Sequence, residues 1–187
     1  MFKLFKTIAR AGKSTVKYPF APLEVCEDFR GKPDYSAEQC IACAACTRAC
    51  PANALIMETD TEEGSRRWEL SMARCIFCGR CEEVCPTGAI KLSKEFELAV
   101  TKKQDLYEDA HFKLAHCQVC EAPFAPLKAV RYTMDLLVQS GMSEEQVASY
   151  RQQLESCPEC RRKQNMLDSD NIFHGRYLNT ATQAEGY

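Results

Sequence analysis

Apolar and polar positions recur along this chain in more than one rhythm. Near the start, Phe2, Phe5, Ile8 and Ala9 fall near helical spacing, with Leu4 beside them and lysines interleaved. That pattern predicts an amphipathic helix. ALIMETD, TEEGS and RRWELS, residues 54–71, read as strand, turn, strand. AIKLS and FELAVT, residues 89–101, read the same way. Farther on, Leu127, Val130, Met134, Leu137 and Val138 share one side of a helical pattern running from Pro126 to Gln139 and closed by Gly141. Ser143-Glu144-Glu145-Gln146 is then a capping box opening a second helix to about Glu155. Tyr18-Pro19-Phe20-Ala21-Pro22 and Phe29-Arg30-Gly31-Lys32-Pro33 read as an extended arm, because Pro holds its predecessor in extended conformations.

These elements predict an α+β core in which Leu55, Met57, Ile90, Leu92, Leu98 and Val100 pack together. Trp68 is expected in the core or at its rim rather than as an electron-relay aromatic.

Composition narrows the class. The chain has 187 residues with 13 cysteines, 45% hydrophobic and 27% charged residues, and a net charge of −2. An odd cysteine count, with Lys3, Lys6 and Arg10 interrupting the first apolar residues, argues against a secreted disulfide scaffold. No run of 18 apolar residues occurs, so no membrane-spanning helix is expected. In a reducing compartment so many thiols point to metal ligation. Lys3, Lys6, Arg10, Lys13 and Lys17 give the first 18 residues a charge of +5 with no acidic residue, leaving −7 for the rest. A basic amphipathic helix of this kind lies on an anionic membrane surface or docks in an apolar groove.

The cysteines then decide the chemistry. Cys40, Cys43, Cys46 and Cys50 form C-x2-C-x2-C-x3-C, followed by Pro51. Cys75, Cys78, Cys81 and Cys85 repeat that spacing, followed by Pro86. The segments CIACAACTRACPANAL and CIFCGRCEEVCPTGAI align at an offset of 35 residues, so one unit is present twice. Three closely spaced thiolates suit three corners of a 4Fe-4S cubane, and the fourth Cys of each motif points to the other cluster. One cluster would then take Cys40, Cys43, Cys46 and Cys85, and the other Cys75, Cys78, Cys81 and Cys50. Zinc rarely gathers four thiols within eleven residues, and no His stands in either motif to suggest a Rieske centre. Small residues at Ala42, Ala44, Ala45 and Gly79 let backbone N–H groups approach the sulfurs.

Four of the remaining cysteines form two C-x2-C knuckles, Cys117 with Cys120 and Cys157 with Cys160. Four thiolates fit one tetrahedral ion, structural zinc or a rubredoxin-like iron; no metal is the third reading. The helices between the knuckles would fold into a hairpin that brings them together. His116 reads as a surface residue, and Cys26 as a small apolar side chain packed between segments.

The arm TVKYPFAPLEV with FRGKP, followed by the two cluster motifs, resembles the two-cluster ferredoxin-like subunit of respiratory complex I. It is more similar still to the corresponding subunit of formate hydrogenlyase and hydrogenase-4, the membrane-bound group 4 nickel-iron hydrogenases. The run IFCGRCEEVCPTGAIKLS and the C-terminal CPEC carry that likeness, which covers roughly residues 1–162. The resemblance implies a bacterial-type two-cluster ferredoxin fold with an extended N-terminal arm and a small C-terminal helical domain that binds metal through four cysteines. The expected divisions are an arm at 1–35, the ferredoxin-like domain at 36–100, the four-cysteine helical hairpin at 101–165 and a polar tail at 166–187. It implies a relay of single electrons between a formate dehydrogenase arm and a nickel-iron hydrogenase, with no independent catalysis. The implied partners are the hydrogenase large and small subunits, a formate dehydrogenase-linked iron–sulfur subunit, and a membrane surface or membrane subunit met by residues 1–18. No nucleic-acid partner is expected. The implied location is cytoplasmic, peripheral on the inner membrane. The same relay serving complex I or another oxidoreductase is the alternative, and a cysteine-rich regulatory zinc protein a third.

Overall fold

The computed structural model describes residues 2–13 and 15–166. The tail expected from residue 166 falls, from residue 167 onward, outside the described residues. Helix α1 spans Phe2–Ala11, and Gly12 closes it in the left-handed region at φ 60°, its N–H bonded to the Ile8 carbonyl at 3.1 Å. No residue of α1 is buried, and Phe2, Leu4, Phe5 and Ile8 stand open to solvent. The helical part of the basic segment is thus shorter than its charge pattern.

The chain then runs without regular structure to β1, Pro33–Tyr35, which pairs antiparallel with β4, Ile90–Leu92. Just before β1 the arm is tied to the far side of β4. Gly31 N–H donates to the Ser93 carbonyl at 2.9 Å, and Ser93 N–H returns a bond to the Lys32 carbonyl at 2.9 Å. Gly31 is glycine because a Cβ there would sit 2.1 Å from the Glu95 carbonyl oxygen. Cys26, expected between packed segments, is exposed. Its stretch of arm lies on the surface, where no second layer covers it.

Between the cysteine motifs, β2, Leu55–Asp60, and β3, Ser65–Ser71, form the expected hairpin. Asp60 shapes its turn by accepting from the backbone N–H groups of Glu62 and Glu63 at 2.8 and 2.9 Å. Two short helices follow the cysteine loops, α2 at Ala45–Ala49 and α3 at Arg80–Glu83. The stretch FELAV is not a strand. Leu98 still packs against the core, but Val100 is 41% exposed, because without a strand partner nothing turns it inward.

The long strand β5, Tyr107–His116, lies where the sequence pattern predicts no element. It pairs with β3 over seven residues, Ser65 with Lys113 through Ser71 with Tyr107. β6, Pro123–Pro126, adds to β5, giving a four-stranded sheet ordered β2-β3-β5-β6. The expected boundary at residue 100 lies in a loop that this sheet bridges. The core gathers Leu55, Trp68, Leu70, Met72, Ile90 and Phe112, with six cysteines of the two repeated motifs packed on it.

Beyond β6, α4, Leu127–Gln139, and α5, Glu144–Leu154, match the sequence reading. The capping box is present, with Ser143 Oγ accepting from Gln146 N–H at 3.3 Å and Gln146 Oε1 from Ser143 N–H at 3.0 Å. Residues 158–166 are helical as well. Lys128 of α4 pins this layer to the first cysteine unit, its Nζ donating to the Ala37 and Glu38 carbonyls at 2.8 and 3.0 Å.

Candidate iron–sulfur and metal centre

The duplication seen in the sequence is also a duplication of backbone conformation. Ala42, Ala44 and Asn53 adopt positive φ, and so do Phe77, Gly79 and Gly88, each 35 positions later in the numbering. Left-handed residues turn the loop so that successive thiols face inward. An arginine holds each loop from outside. Arg66 donates to the Ala42 carbonyl at 3.1 Å, and Arg30 of the arm to the Cys78 carbonyl at 2.8 Å.

Two cavities result. Cys40, Cys43, Cys46 and Cys85 line one of them, while Cys50, Cys75, Cys78 and Cys81 line the other. Each cavity therefore takes its fourth thiol from the opposite motif. Backbone N–H groups reach sulfur equivalently in both units. Ala42 donates to Cys40 at 3.3 Å and Phe77 to Cys75 at 3.4 Å; Ala54 donates to Cys50 at 3.3 Å and Ala89 to Cys85 at 3.2 Å.

The electrostatics of these thiols fit a cationic guest. Burial pushes Cys46 up, and neighbouring cysteines Cys40, Cys43 and Cys85 push the same way. Burial and the neighbours Cys50 and Cys78 raise Cys75, and Cys81 is pushed up to about 11, chiefly by burial. Cys85 is the exception: burial opposes ionisation, but bonds from Thr87, Ala89 and Ile90 outweigh it and lower the thiol. Four crowded thiolates repel one another without a positive centre among them, and a bound iron core removes that penalty. A second observation concerns donors. The Tyr35 hydroxyl and Trp68 Nε1 are buried with no hydrogen-bond partner. Both residues line the first cavity, stacked on each other with ring centroids 3.7 Å apart. Tyr35 faces Cys40 and Trp68 faces Cys46. Buried donors without partners are costly, and cluster sulfurs are acceptors that would satisfy them. The donor set therefore fits an iron–sulfur cluster.

The C-terminal thiols meet too. The Sγ atoms of Cys117, Cys120, Cys157 and Cys160 all lie within 4.8 Å of one another. The knuckles are knitted by backbone bonds: Cys157 N–H donates to Cys117 Sγ at 3.2 Å, Val119 N–H to the same sulfur at 3.4 Å, and Cys160 N–H to Cys157 Sγ at 3.4 Å. The backbone N–H groups of Cys157, Cys120 and Val119, that of Cys157 first, lower Cys117 to about 6. Cys160 is raised to about 12 by its hydrogen bonds to Cys157 and Cys120. His116 is exposed and no part of this ligand group. Sequence reading located every thiol but missed Tyr35, Thr87, Arg30 and Arg66. The 35-residue alignment contained a signal for the first two, since Tyr35 falls opposite Leu70 and Thr87 opposite Ala52.

Among the described residues no helix is long and apolar enough to cross a membrane.

Comparison with known proteins points to iron–sulfur chemistry as well. A family profile described as a 4Fe-4S dicluster domain matches residues 39–89. Formate hydrogenlyase subunit 6 of Escherichia coli (strain K12) is 48% identical over 181 residues, covering 97% of this chain and 99% of that protein. NAD(P)H-quinone oxidoreductase subunit I of Synechocystis sp. is 38% identical over 63% of this chain and 65% of its own length. The chloroplastic subunit I of Angiopteris evecta is 40% identical over 51% of this chain and 55% of its own.

Proposed function

This chain belongs to the family of formate hydrogenlyase subunit 6, and on that premise we propose that it is the electron-transfer iron–sulfur subunit of a hydrogenase complex. The observation that carries the reading is the pair of crossed cavities, each lined by four thiols drawn from both motifs. Cys40, Cys43, Cys46 and Cys85 hold one 4Fe-4S cluster, and Cys75, Cys78, Cys81 and Cys50 hold the other. When bound, such clusters accept and release one electron at a time. The chain's residues supply the thiolates, aim backbone N–H groups at sulfur and cover the site with apolar side chains. Its role is conduction, and bond chemistry on substrate belongs to neighbouring subunits.

The finer assignments follow the same premise. Residues 1–35 form a docking arm, 36–100 the ferredoxin-like unit and 101–165 the four-cysteine unit. Cys117, Cys120, Cys157 and Cys160 take one tetrahedral ion, zinc or a rubredoxin-like iron. The partners are the hydrogenase large and small subunits on one side and a formate dehydrogenase-linked iron–sulfur subunit on the other. The exposed apolar face of α1 with its basic residues supports docking on a membrane subunit or membrane surface, on the cytoplasmic face of the inner membrane.

Anaerobic purification with iron and sulfide analysis tests the reading. About eight iron and eight inorganic sulfide per chain are expected from two cubanes. A colourless, zinc-only protein would overturn it. Affinity purification of the intact complex tests the parent assembly, because recovery with quinone-reductase subunits and without hydrogenase subunits would reassign the relay.

A further inference from the structure

The two cavities share a backbone and differ in their walls. Moving forward by 35 residues carries Tyr35 of the first cavity onto Leu70 of the second, and moving back by 35 carries Thr87 onto Ala52. The same backward shift carries Trp68 onto Pro33. Wherever the first cavity has a side-chain hydrogen-bond donor, the second has a side chain that cannot donate. Met57 and Leu92, matched in the same way, are apolar on both sides. Two backbone bonds match between the cavities, since each receives one of the Ala42 type and one of the Ala54 type.

The three donors are in place. Thr87 Oγ1 stands 3.7 Å from Cys85 Sγ. Trp68 is fully buried, and its Nε1 and the Tyr35 hydroxyl find no partner among the described residues. Reduction adds one negative charge to a cluster, and donors aimed at its sulfurs stabilise that charge more than they stabilise the oxidised form. An apolar wall adds desolvation without compensation and works against reduction.

We propose that Tyr35, Trp68 and Thr87 make the two clusters inequivalent, raising the reduction potential of the one held by Cys40, Cys43, Cys46 and Cys85 above its partner's. The first electron to enter the chain then rests on that cluster. This rests on the cluster assignment above and adds an ordering to it. Tyr35, Trp68 and Thr87 act as tuning residues through the cluster sulfurs.

The test is a potentiometric titration of the full chain carrying both clusters, followed by electron paramagnetic resonance. The native protein should give two separate midpoints. Tyr35→Phe, Trp68→Phe and Thr87→Val should each lower the higher midpoint and leave the lower one in place. A tenfold change in the reduction equilibrium of a one-electron couple is a shift of about 59 mV. Double-resonance spectra of the reduced protein in deuterated water should lose exchangeable-proton coupling in the Tyr35→Phe protein. Coincident native midpoints, a higher midpoint unmoved by all three changes, or movement of the lower one would each overturn the proposal. If Trp68→Phe prevents assembly, Tyr35→Phe and Thr87→Val decide alone, since each keeps the bulk of its side chain. Iron and sulfide content separates the two levels of failure. A native chain without cubanes sinks the function itself, whereas two cubanes with equal midpoints sink only the ordering.

Discussion

Cys120 and Cys157 are 37 residues apart in sequence, yet their sulfurs stand 3.7 Å apart. A tetrahedral ion with metal–sulfur bonds of about 2.3 Å separates its ligand sulfurs by about 3.8 Å. This pair is thus already at ligand spacing, and all four sulfurs lie within 4.8 Å of one another. We expect one zinc or iron per chain in addition to the cluster iron, lost in Cys157→Ser while both clusters persist. Elemental analysis of the two proteins checks this, and unchanged metal content in the variant would contradict it. Removing the ion should also expose residues 117–160 to limited proteolysis, because the knuckles are closed by thiols and a few backbone bonds.

Metal uptake at that site should depend on pH with a definite sign. Cys117 is lowered to about 6 and Cys160 raised to about 12. Near neutral pH the metal-free site therefore offers Cys117 as thiolate and Cys160 as thiol. Binding must expel the Cys160 proton, so affinity rises with pH. It falls further as pH drops through about 6, where Cys117 also takes a proton. Competition titrations with a chelator between about pH 5 and 8 measure the slope. Affinity independent of pH would refute the assignment.

Crossed ligation predicts a mismatch between the mutated motif and the damaged cluster. Cys85→Ser should disturb the cluster held by Cys40, Cys43 and Cys46, although Cys85 belongs to the second motif. Selective change in one of the two paramagnetic signals, matched to that seen in Cys43→Ser, is the expected result. A signal matched instead to Cys78→Ser would sink the crossed arrangement.

Helix α1 should be dispensable for folding and required for docking. It buries none of its own residues, so Phe5→Glu with Ile8→Glu should change stability by no more than about 0.5 kcal/mol. The same pair should release the chain from membrane fractions with both clusters intact. Loss of the clusters would show that α1 belongs to the core.

Gly31→Ala should be costly for a different reason. Its new Cβ would meet the Glu95 carbonyl oxygen at 2.1 Å and the Ser93 carbonyl oxygen at 2.8 Å. Backbone must move, and the expected destabilisation is about 1–3 kcal/mol. Thermal unfolding of the cluster-loaded protein reads it. An unchanged midpoint would mean the arm is not seated against the β4 side.

The cysteine units were legible because ligation demands fixed spacing, and the hairpin β2–β3 because its apolar and polar positions alternate around a Gly64 turn. α4 and α5 announced themselves by periodicity and by the Ser143 capping box. β5 went unseen because Tyr107–His116 carries Glu108, Asp109, His111 and Lys113 on a strand that is only partly covered. β6 contains two prolines, which argue against a strand until one sees that it sits at the sheet edge. FELAVT alternates like a strand and has no neighbour to pair with, so its pattern came to nothing. The expectation for Cys26 rests on residue type, and residue type does not report whether another segment lies above it. The inequivalence of the two cavities lies in wall residues outside the cysteine motifs, which ligand spacing does not report.

The exchange of fourth cysteines also bears on how such a chain could have begun. A lone unit, cut from the pair, lines its own cavity with three thiols and points its fourth away. Two identical units related by a two-fold axis would complete each other. A single-unit chain built this way would draw its fourth thiol from a symmetric partner. In one continuous chain the two halves need not be identical, as Tyr35 opposite Leu70 and Trp68 opposite Pro33 show.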